Sequence, residues 1–279
     1  MRLIRLFARL PLGVLYVLSS ALAMLLHRVL RYRLAVVREN IAAAFPAMSP
    51  EQRRRTERGF YRHLADLAVE VIAASSMPRA LFTSRVRLHN ADEFRAVLAE
   101  HKGPVLVMAI HQGNWEWMLH AAALALDIPI HAVYKPLHSA RWDVFAYDLR
   151  SRFGSRPLPM QSVLRTVLRK RHEQAAYAIV ADQSASRQGY WTRFLGRDAA
   201  FYRGTERMAR AVDAPVVFIQ CLRLGRGRYE ARFHTLSTPP HPAADHAITE
   251  RYIALAERCI REQPETYLWS SRRWRRRPA

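Results

Sequence analysis

The chain has 279 residues, half of them hydrophobic, which excludes a disordered protein and allows a substantial core. Lys and Arg number 44 against 23 Asp and Glu, and the net charge of +21 points to anionic partners: nucleic acid, anionic lipid or an acidic carrier protein. Two cysteines, Cys221 and Cys259, lie in no CxxC or Cys-His spacing and are expected as buried thiols rather than a disulfide framework.

In chain order, Leu10 to Leu26 carries no charge and is just long enough for a bilayer. Arg2, Arg5 and Arg9 precede it, and Arg28, Arg31 and Arg33 follow. Ala21-Leu22-Ala23 fits a signal-peptide cleavage site, but the basic run behind it resists export. Residues 1–30 are therefore expected as an uncleaved membrane anchor, transmembrane or interfacial, with residues 31–279 on the cytoplasmic side. RYRLAVVRENIAAAFP reads as a short basic helix stopped at Pro46. Ser49 and Pro50 start the next helix, in which Phe60, Leu64, Leu67, Ala68, Val71 and Ile72 recur at helical spacing behind a cationic QRRRTER.

From about residue 84, strand and helix patterns alternate. Strands are expected at 85–89, 104–110, 130–134, 176–181, 215–223 and 228–236. Helices are expected at 91–101, 114–126, 138–152, 162–172, 204–212 and 245–262. This predicts an α/β fold: one domain with a mostly parallel central sheet flanked by helices and a helical N-terminal attachment. The last two strands, joined through Gly225 and Gly227, read as an antiparallel hairpin.

In open α/β sheets, ligands gather beyond the carboxyl ends of strands. His111 follows VLVMAI and Asp182 follows AYAIVA, both at such ends. Gly113 lets the backbone turn, Asn114 suits a helix N-cap, and Glu116 falls in the first helical turn. Residues i and i+5 of one helix point about 140° apart, so His111 meets Glu116 only if it stands on the preceding loop. A carboxylate on one imidazole nitrogen fixes the tautomer and leaves the other to take a proton from a hydroxyl, as a general base for acyl transfer. The plainer reading of an isolated HxxxxE is a hydrogen-bonded loop histidine. No metal site is expected, since there is no HExxH and Glu116 with His120 makes only an i,i+4 pair. No GxSxG, Walker loop or GxGxxG occurs.

HQGNWEW at 111–117 resembles the His-x4-Asp/Glu motif of the glycerolipid acyltransferase superfamily, and more closely the bacterial lipid A biosynthesis lauroyl/myristoyl acyltransferase family. RYRLAVVRENIAAAFP, VYKPL, LRSRFG, ADQS, YWTRFLGRDAAFYRGTERMAR, APVV and PETYLWSSRRWRRR follow the family's order, from about residue 30 almost to the C-terminus. The resemblance implies His111 as base and Glu116 as its partner. It implies a substrate site with Asn114, Trp115, Tyr134, Lys135, Asp182, Gln183, Phe194, Gly196, Gly204 and Thr205. Gly196, in the family's aromatic-x-Gly element, would let backbone amides approach a phosphate or polar head group, and Gly204-Thr205 would open a helix able to serve an anion.

The implied reaction moves a fatty acyl group from an acyl thioester, usually on acyl-carrier protein, to a hydroxyl of a lipid A precursor. It needs no cofactor beyond the thioester co-substrate. The implied location is the cytoplasmic face of the bacterial inner membrane, with anionic lipids as partners and no nucleic acid. Trp269 and Trp274, beside five arginines in 272–277, resemble an interfacial belt with basic anchors; a disordered basic tail is the plainer alternative.

Three departures bear on the acceptor. Tyr134-Lys135-Pro136 replaces the common Tyr-Arg-Pro and loses the bidentate fork. Pro159, Met160 and Gln161 stand where lipid A enzymes usually carry an arginine, with Arg156 and Arg165 the nearest substitutes. Ala185 replaces the proline often found after Asp-Gln-Ser. A lysophospholipid, an aminolipid such as ornithine lipid, or another glycolipid is therefore an alternative acceptor. A membrane-tethered nucleic-acid-binding protein would use the arginine-rich ends but gives His111 and Glu116 no task.

Overall fold

Pro11 separates α1 (Arg2–Phe7) from α2 (Leu12–Met24), which continues as a π-helical turn over Leu25–Val29. The computed structural model describes residues 2–185 and 188–274, and of residues 2, 3 and 5 the backbone only. The expected basic helix is α3 (Leu34–Ala44). The helix begun by Ser49 and Pro50 is α4 (Pro50–Ala74), where Ser49 and Gln52 form a full capping box and Pro50 takes the first helical position.

The buried face of α4 differs from the apolar stripe read from spacing. Ala68 is exposed, while Glu57, His63, Asp66 and Glu70 are buried beside Phe60, Leu67 and Val69. The cause is α2, which packs on α4 from outside the domain and supplies polar partners: the Ser19 hydroxyl donates to Asp66 at 2.5 Å, and Tyr16 to Glu70 at 2.9 Å. A hydrophobicity count scores those acidic positions as solvent-facing.

The alternating region begins with α5 (Arg79–Arg85) and β1 (Val86–Leu88), then α6 (Ala91–Glu100), β2 (Pro104–Ala109), α7 (Trp115–Ala125), β3 (Ile130–Tyr134) and α8 (Ala140–Ser151). It continues through β4 (Arg156–Pro159), α9 (Val163–Arg169), β5 (Ala175–Val180), β6 (Tyr190–Phe194), β7 (Arg197–Phe201), α10 (Gly204–Ala211), β8 (Val216–Gly225), β9 (Arg228–Ser237) and α11 (Ala247–Glu262). Every expected strand and helix is present within a few residues. Unforeseen are α5, β4, and the β6–β7 hairpin.

Seven strands form one sheet in the order β1-β9-β8-β2-β5-β3-β4. The strands β8, β2, β5, β3 and β4 run parallel, and β9 returns antiparallel to β8, as the hairpin reading requires. Along β2, Leu106 and Met108 enter one core layer with Met208, Tyr252 and Ile260. Val105, Val107 and Ala109 enter the other with Trp117, Ala121 and Val69. Helices cover both faces, which is why β2 is apolar at every position.

From β2 the chain crosses over β5 to β3, whereas from β5 it returns to β8 on the far side of β2. Adjacent crossovers leaving in opposite directions open a crevice at the carboxyl ends of β2 and β5, where an open α/β sheet places its ligands.

Candidate active site

The ladder pairs Ala109 of β2 with Val180 of β5 in parallel register. His111 and Asp182 each lie two residues beyond, so the fold sets them side by side. The His111 Nδ1–H donates to Asp182 Oδ1 at 2.6 Å. Asp182 is buried, while the imidazole keeps 15% of its surface exposed, enough for its far nitrogen to meet a substrate. The exposed Gln183 amide reaches that nitrogen, Nε2, at 3.4 Å, and the Trp115 ring stands edge-on to the imidazole with centroids 5.0 Å apart.

The partner of His111 in this geometry is therefore Asp182, not the Glu116 expected from spacing. Glu116 accepts two hydrogen bonds from Arg150 of α8: Nε to Oε2 at 3.0 Å and Nη2 to Oε1 at 2.5 Å. From the first turn of a helix, a buried carboxylate is held more firmly by a bidentate guanidinium than by a ring on the preceding loop. Glu116 still acts on His111 through space. Burial opposes the imidazolium, but the Asp182 charge and hydrogen bond, together with Glu116, outweigh it and hold the His111 pKa above 6.5. Burial would raise the Asp182 carboxyl, yet His111 and then Arg273 hold it below its ordinary 3.8.

The loop bearing His111 is fixed from three sides. Gly113 donates to Thr266 O at 3.1 Å and Leu268 donates to His111 O at 3.0 Å, so the segment after α11 runs beside it. Gln112 Nε2 donates to the carbonyls of Cys259 and Gln263 at 2.9 and 3.1 Å. From α4, His63 Nε2 donates to Gly113 O at 3.1 Å, and burial pulls His63 down to about 3, so its ring is neutral. Asn114 caps α7 by accepting from Trp117 N at 2.9 Å and donates through Nδ2 to Glu70 at 2.8 Å. Glu70 also accepts from Tyr16 and Tyr229, and burial raises its pKa despite these bonds.

The other expected site residues divide. Tyr134 ends β3 with the Arg150 guanidinium 5.7 Å over its ring, and Lys135 is exposed just beyond. Phe194, Gly196, Gly204 and Thr205 make no hydrogen bond, ion pair or ring contact with His111 or Asp182 among the described residues. Phe194 is buried against Phe201 and Trp274. Leu195 (φ 50°) and Gly196 (φ 78°) make the tight turn of the β6–β7 hairpin, so the glycine meets a turn requirement there. Gly204 opens α10, with Thr205 buried behind it.

Trp269 and Trp274 are not an interfacial belt. Both are buried, and their indole N–H groups donate to the carbonyls of Pro264 (2.5 Å) and Phe194 (3.2 Å). They are core residues because the C-terminal segment packs between α3 and the hairpin: Asn40 donates to Trp269 O and Ser271 O at 2.8 and 3.0 Å. Arginines 275–277 lie outside the described residues.

Two residues of the site went unassigned in the sequence. Arg150 lies within LRSRFG, and its place on the α8 face toward α7 is legible only after folding. Arg273 lies within the arginine-rich end but is only 2% exposed, its guanidinium 4.3 Å over the Phe201 ring and 5.7 Å over Phe194. None of its three side-chain nitrogens has a hydrogen-bond partner among the described residues, and its charge acts on Asp182.

An imidazole oriented by a buried carboxylate, at the crevice of a doubly covered α/β sheet, defines a protein equipped to take a proton from a hydroxyl or similar group. The family model described as bacterial lipid A biosynthesis acyltransferase matches residues 1–276, and the chain belongs to that family. It is 26% identical over 278 residues to the lipid A biosynthesis lauroyltransferase of Escherichia coli (strain K12), covering 98% of this chain and 89% of that protein. With 23% identity over 275 residues and the same coverage it is similar to the palmitoleoyltransferase of that strain and to the lipid A biosynthesis acyltransferase of Shigella flexneri. The chain is an acyltransferase of the lipid A biosynthesis family.

Proposed function

We propose that the chain moves a fatty acyl group from an acyl-carrier-protein thioester to a hydroxyl of a lipid A precursor, at the cytoplasmic face of the bacterial inner membrane. The observation that carries this reading is the His111–Asp182 pair, with Nδ1 committed to the carboxylate and Nε2 facing the crevice. Nε2 takes the proton of the acceptor hydroxyl as its oxygen attacks the thioester carbonyl. The oxyanion collapses, the C–S bond breaks, and the leaving thiolate takes the proton back from the imidazolium, giving ester and thiol. The Asp182 charge stabilises the imidazolium between those transfers. Glu116 and Arg150, fixed to each other, act on the imidazole through their charges. The chemistry needs no metal or redox cofactor, because the thioester is already activated. An acidic carrier protein suits a surface of net charge +21.

A second acceptor is favoured by one observation. Pro159 ends β4 and Met160 and Gln161 open the turn after it, where lipid A enzymes usually carry an arginine; Arg156 and Arg165 are exposed nearby. A lysophospholipid, an ornithine-type aminolipid or another glycolipid would then replace the lipid A precursor.

The test is incubation of the purified protein with acyl-carrier and coenzyme A thioesters and a panel of these acceptors. Transfer to the lipid A precursor, abolished in His111→Ala, is expected. Near-normal turnover in that variant would defeat the mechanism, and transfer only to another lipid would replace the acceptor.

A further inference from the structure

The N-terminal apolar helix is long enough to cross a bilayer. It is also tied to the domain by hydrogen bonds from Tyr16 to His27, and by Ala8 just before it. The Ser76 hydroxyl donates to Ala8 O, Tyr16 donates to Glu70 at 2.9 Å, Ser19 donates to Asp66 at 2.5 Å, and His27 Nε2 meets Glu57 at 2.7 Å. These contacts step backwards along α4 as the chain steps forwards, and the three borne by the helix itself, from Tyr16 to His27, make it an antiparallel neighbour of α4 over about 16 Å at 1.5 Å per residue. From the β8–β9 turn, Arg226 donates to Ser20 Oγ at 3.0 Å and lies 4.8 Å over the Tyr16 ring. The bound stretch is about half as long as a hydrocarbon core is thick, roughly 30 Å, so it leaves no half of the bilayer that the helix could cross clear of the domain.

A crossing helix would have one of two consequences. Either α4 follows it into the bilayer, carrying the buried carboxylates of Glu57, Asp66 and Glu70 with the domain core attached, or α2 leaves α4 and strips those carboxylates of their cover. Neither suits helices already paired by hydrogen bonds. The outer face of α2 is nonetheless apolar, with Val14, Val17, Leu18, Met24 and Leu25 exposed. Arginines stand at both ends of the segment, Arg2, Arg5 and Arg9 before it and Arg28, Arg31 and Arg33 after it. The positive-inside rule keeps both groups on the same side of a membrane.

The apolar surface continues beyond α2. Between the α1–α2 joint and α8 lies a groove of about 570 Å³ with an apolar floor that includes Val144, Phe145 and Leu149, and with Arg9, Arg141 and Arg152 among its lining. On α8, Trp142, Val144 and Tyr147 are exposed. The same helix carries Arg150, which holds Glu116 beside His111.

We propose that the N-terminal helix lies in the plane of one leaflet rather than across the bilayer. With α8 it forms a single face seated on anionic phospholipid, apolar groups in the acyl boundary and arginines at the phosphates. This rests on the proposed membrane reading and fixes its geometry: both ends of the helix and the catalytic domain share one side. Tyr16, Glu70 and Asn114 link the seated helix to the cap of α7, so the helix is part of the fold that holds His111.

The test uses the full chain with one added cysteine, Leu6→Cys or Leu30→Cys, in spheroplasts and in inside-out membrane vesicles; both native cysteines are buried. A membrane-impermeant maleimide should label both positions in inside-out vesicles and neither in intact spheroplasts. Labelling of the two positions from opposite sides overturns the proposal. A spin label at Val17→Cys should report a depth of about 5–10 Å below the headgroups; a depth at the bilayer centre also overturns it. Phosphatidylethanolamine vesicles should gain about 10-fold or more in binding when phosphatidylglycerol is added, and no gain removes the role of the arginines. Acyl transfer is read separately: a protein inactive on every acceptor but labelled from one side refutes the proposed reaction and leaves the helix in place.

Discussion

Nδ1 of His111 lies 2.6 Å from Oδ1 of Asp182, although 71 residues separate them and Glu116 is only five residues away. Sheet register decides this: β2 and β5 are adjacent and in phase, so residues equally far past their ends become neighbours. The two carboxylates beside the ring then take different tasks. Asp182 holds the imidazole directly, and Glu116 is held by Arg150 and acts on His111 only through its charge.

Asp182→Asn is expected to lower kcat by about 10³–10⁴, because the amide donates to Nδ1 and favours the wrong tautomer. KM should change little, and far-ultraviolet circular dichroism should be unaltered. Glu116→Gln should lose much less in kcat. Steady-state kinetics on both variants checks the division, and equal losses would overturn it.

The pH dependence follows from the same pair. His111 must be neutral to act as base and its pKa is raised, so kcat/KM should fall as pH drops through a value above 6.5. Stability runs in opposite directions for the two partners. The raised His111 adds stability that is full below 6.5 and lost as pH rises through its folded value. The lowered Asp182 adds stability present above 3.8 and lost as pH falls through its folded value. The melting-temperature gap between the natural protein and His111→Ala should therefore be widest between those limits and narrow above them, as a calorimetric pH series would show.

The architecture was legible because both sheet faces are covered: β2, β3, β5 and β8 are apolar runs that few other elements imitate. The site was legible only in parts. His111, Asn114 and Asp182 stand at recognisable strand ends and caps, but which carboxylate meets the imidazole depends on strand order, and order is set by long-range packing. Arg150 and Arg273 were hidden for a different reason. A buried arginine looks like any other arginine in a chain with 44 basic residues. Trp269 and Trp274 misled for the converse reason, since tryptophan beside arginine suits a membrane interface as well as a core whose carbonyls accept the indole N–H.

Arg273 supplies a prediction that separates charge from packing. Its guanidinium is buried on two phenylalanine rings without a hydrogen-bond partner among the described residues, and it acts on Asp182 as a cation. Removing a positive charge raises the proton affinity of the pair it faces, so Arg273→Met should move the acid limb of kcat/KM to higher pH. Arg273→Lys keeps the charge and should restore the limb. A loss of activity equal at every pH would assign Arg273 to packing alone.

Breaking the Arg150–Glu116 pair should cost stability as well as rate. The Glu116 side chain is 9% exposed and Arg150 22%, so Arg150→Met leaves a nearly buried carboxylate unpaired, at a cost of about 3–5 kcal/mol. Arg150→Met combined with Glu116→Gln removes the stranded charge and should recover part of that loss. Urea denaturation of the two single variants and the double variant measures the coupling, and additive losses would show that the pair is not energetically linked.

Gly113 is the tightest point of the loop. Its φ is +61°, and a Cβ built there would lie 2.7 Å from Cys221 Sγ and 2.8 Å from the Cys221 carbonyl oxygen. Both the dihedral and the collision oppose any side chain, so Gly113→Ala should cost more than about 1 kcal/mol of stability and displace the loop that carries His111. Cys221→Ala would remove the sulfur but neither the carbonyl nor the positive φ. The double variant Gly113→Ala/Cys221→Ala should therefore stay destabilised and poorly active. Recovery of both melting temperature and turnover in that double variant would show that only the thiol, and not the backbone of β8, requires glycine at this position.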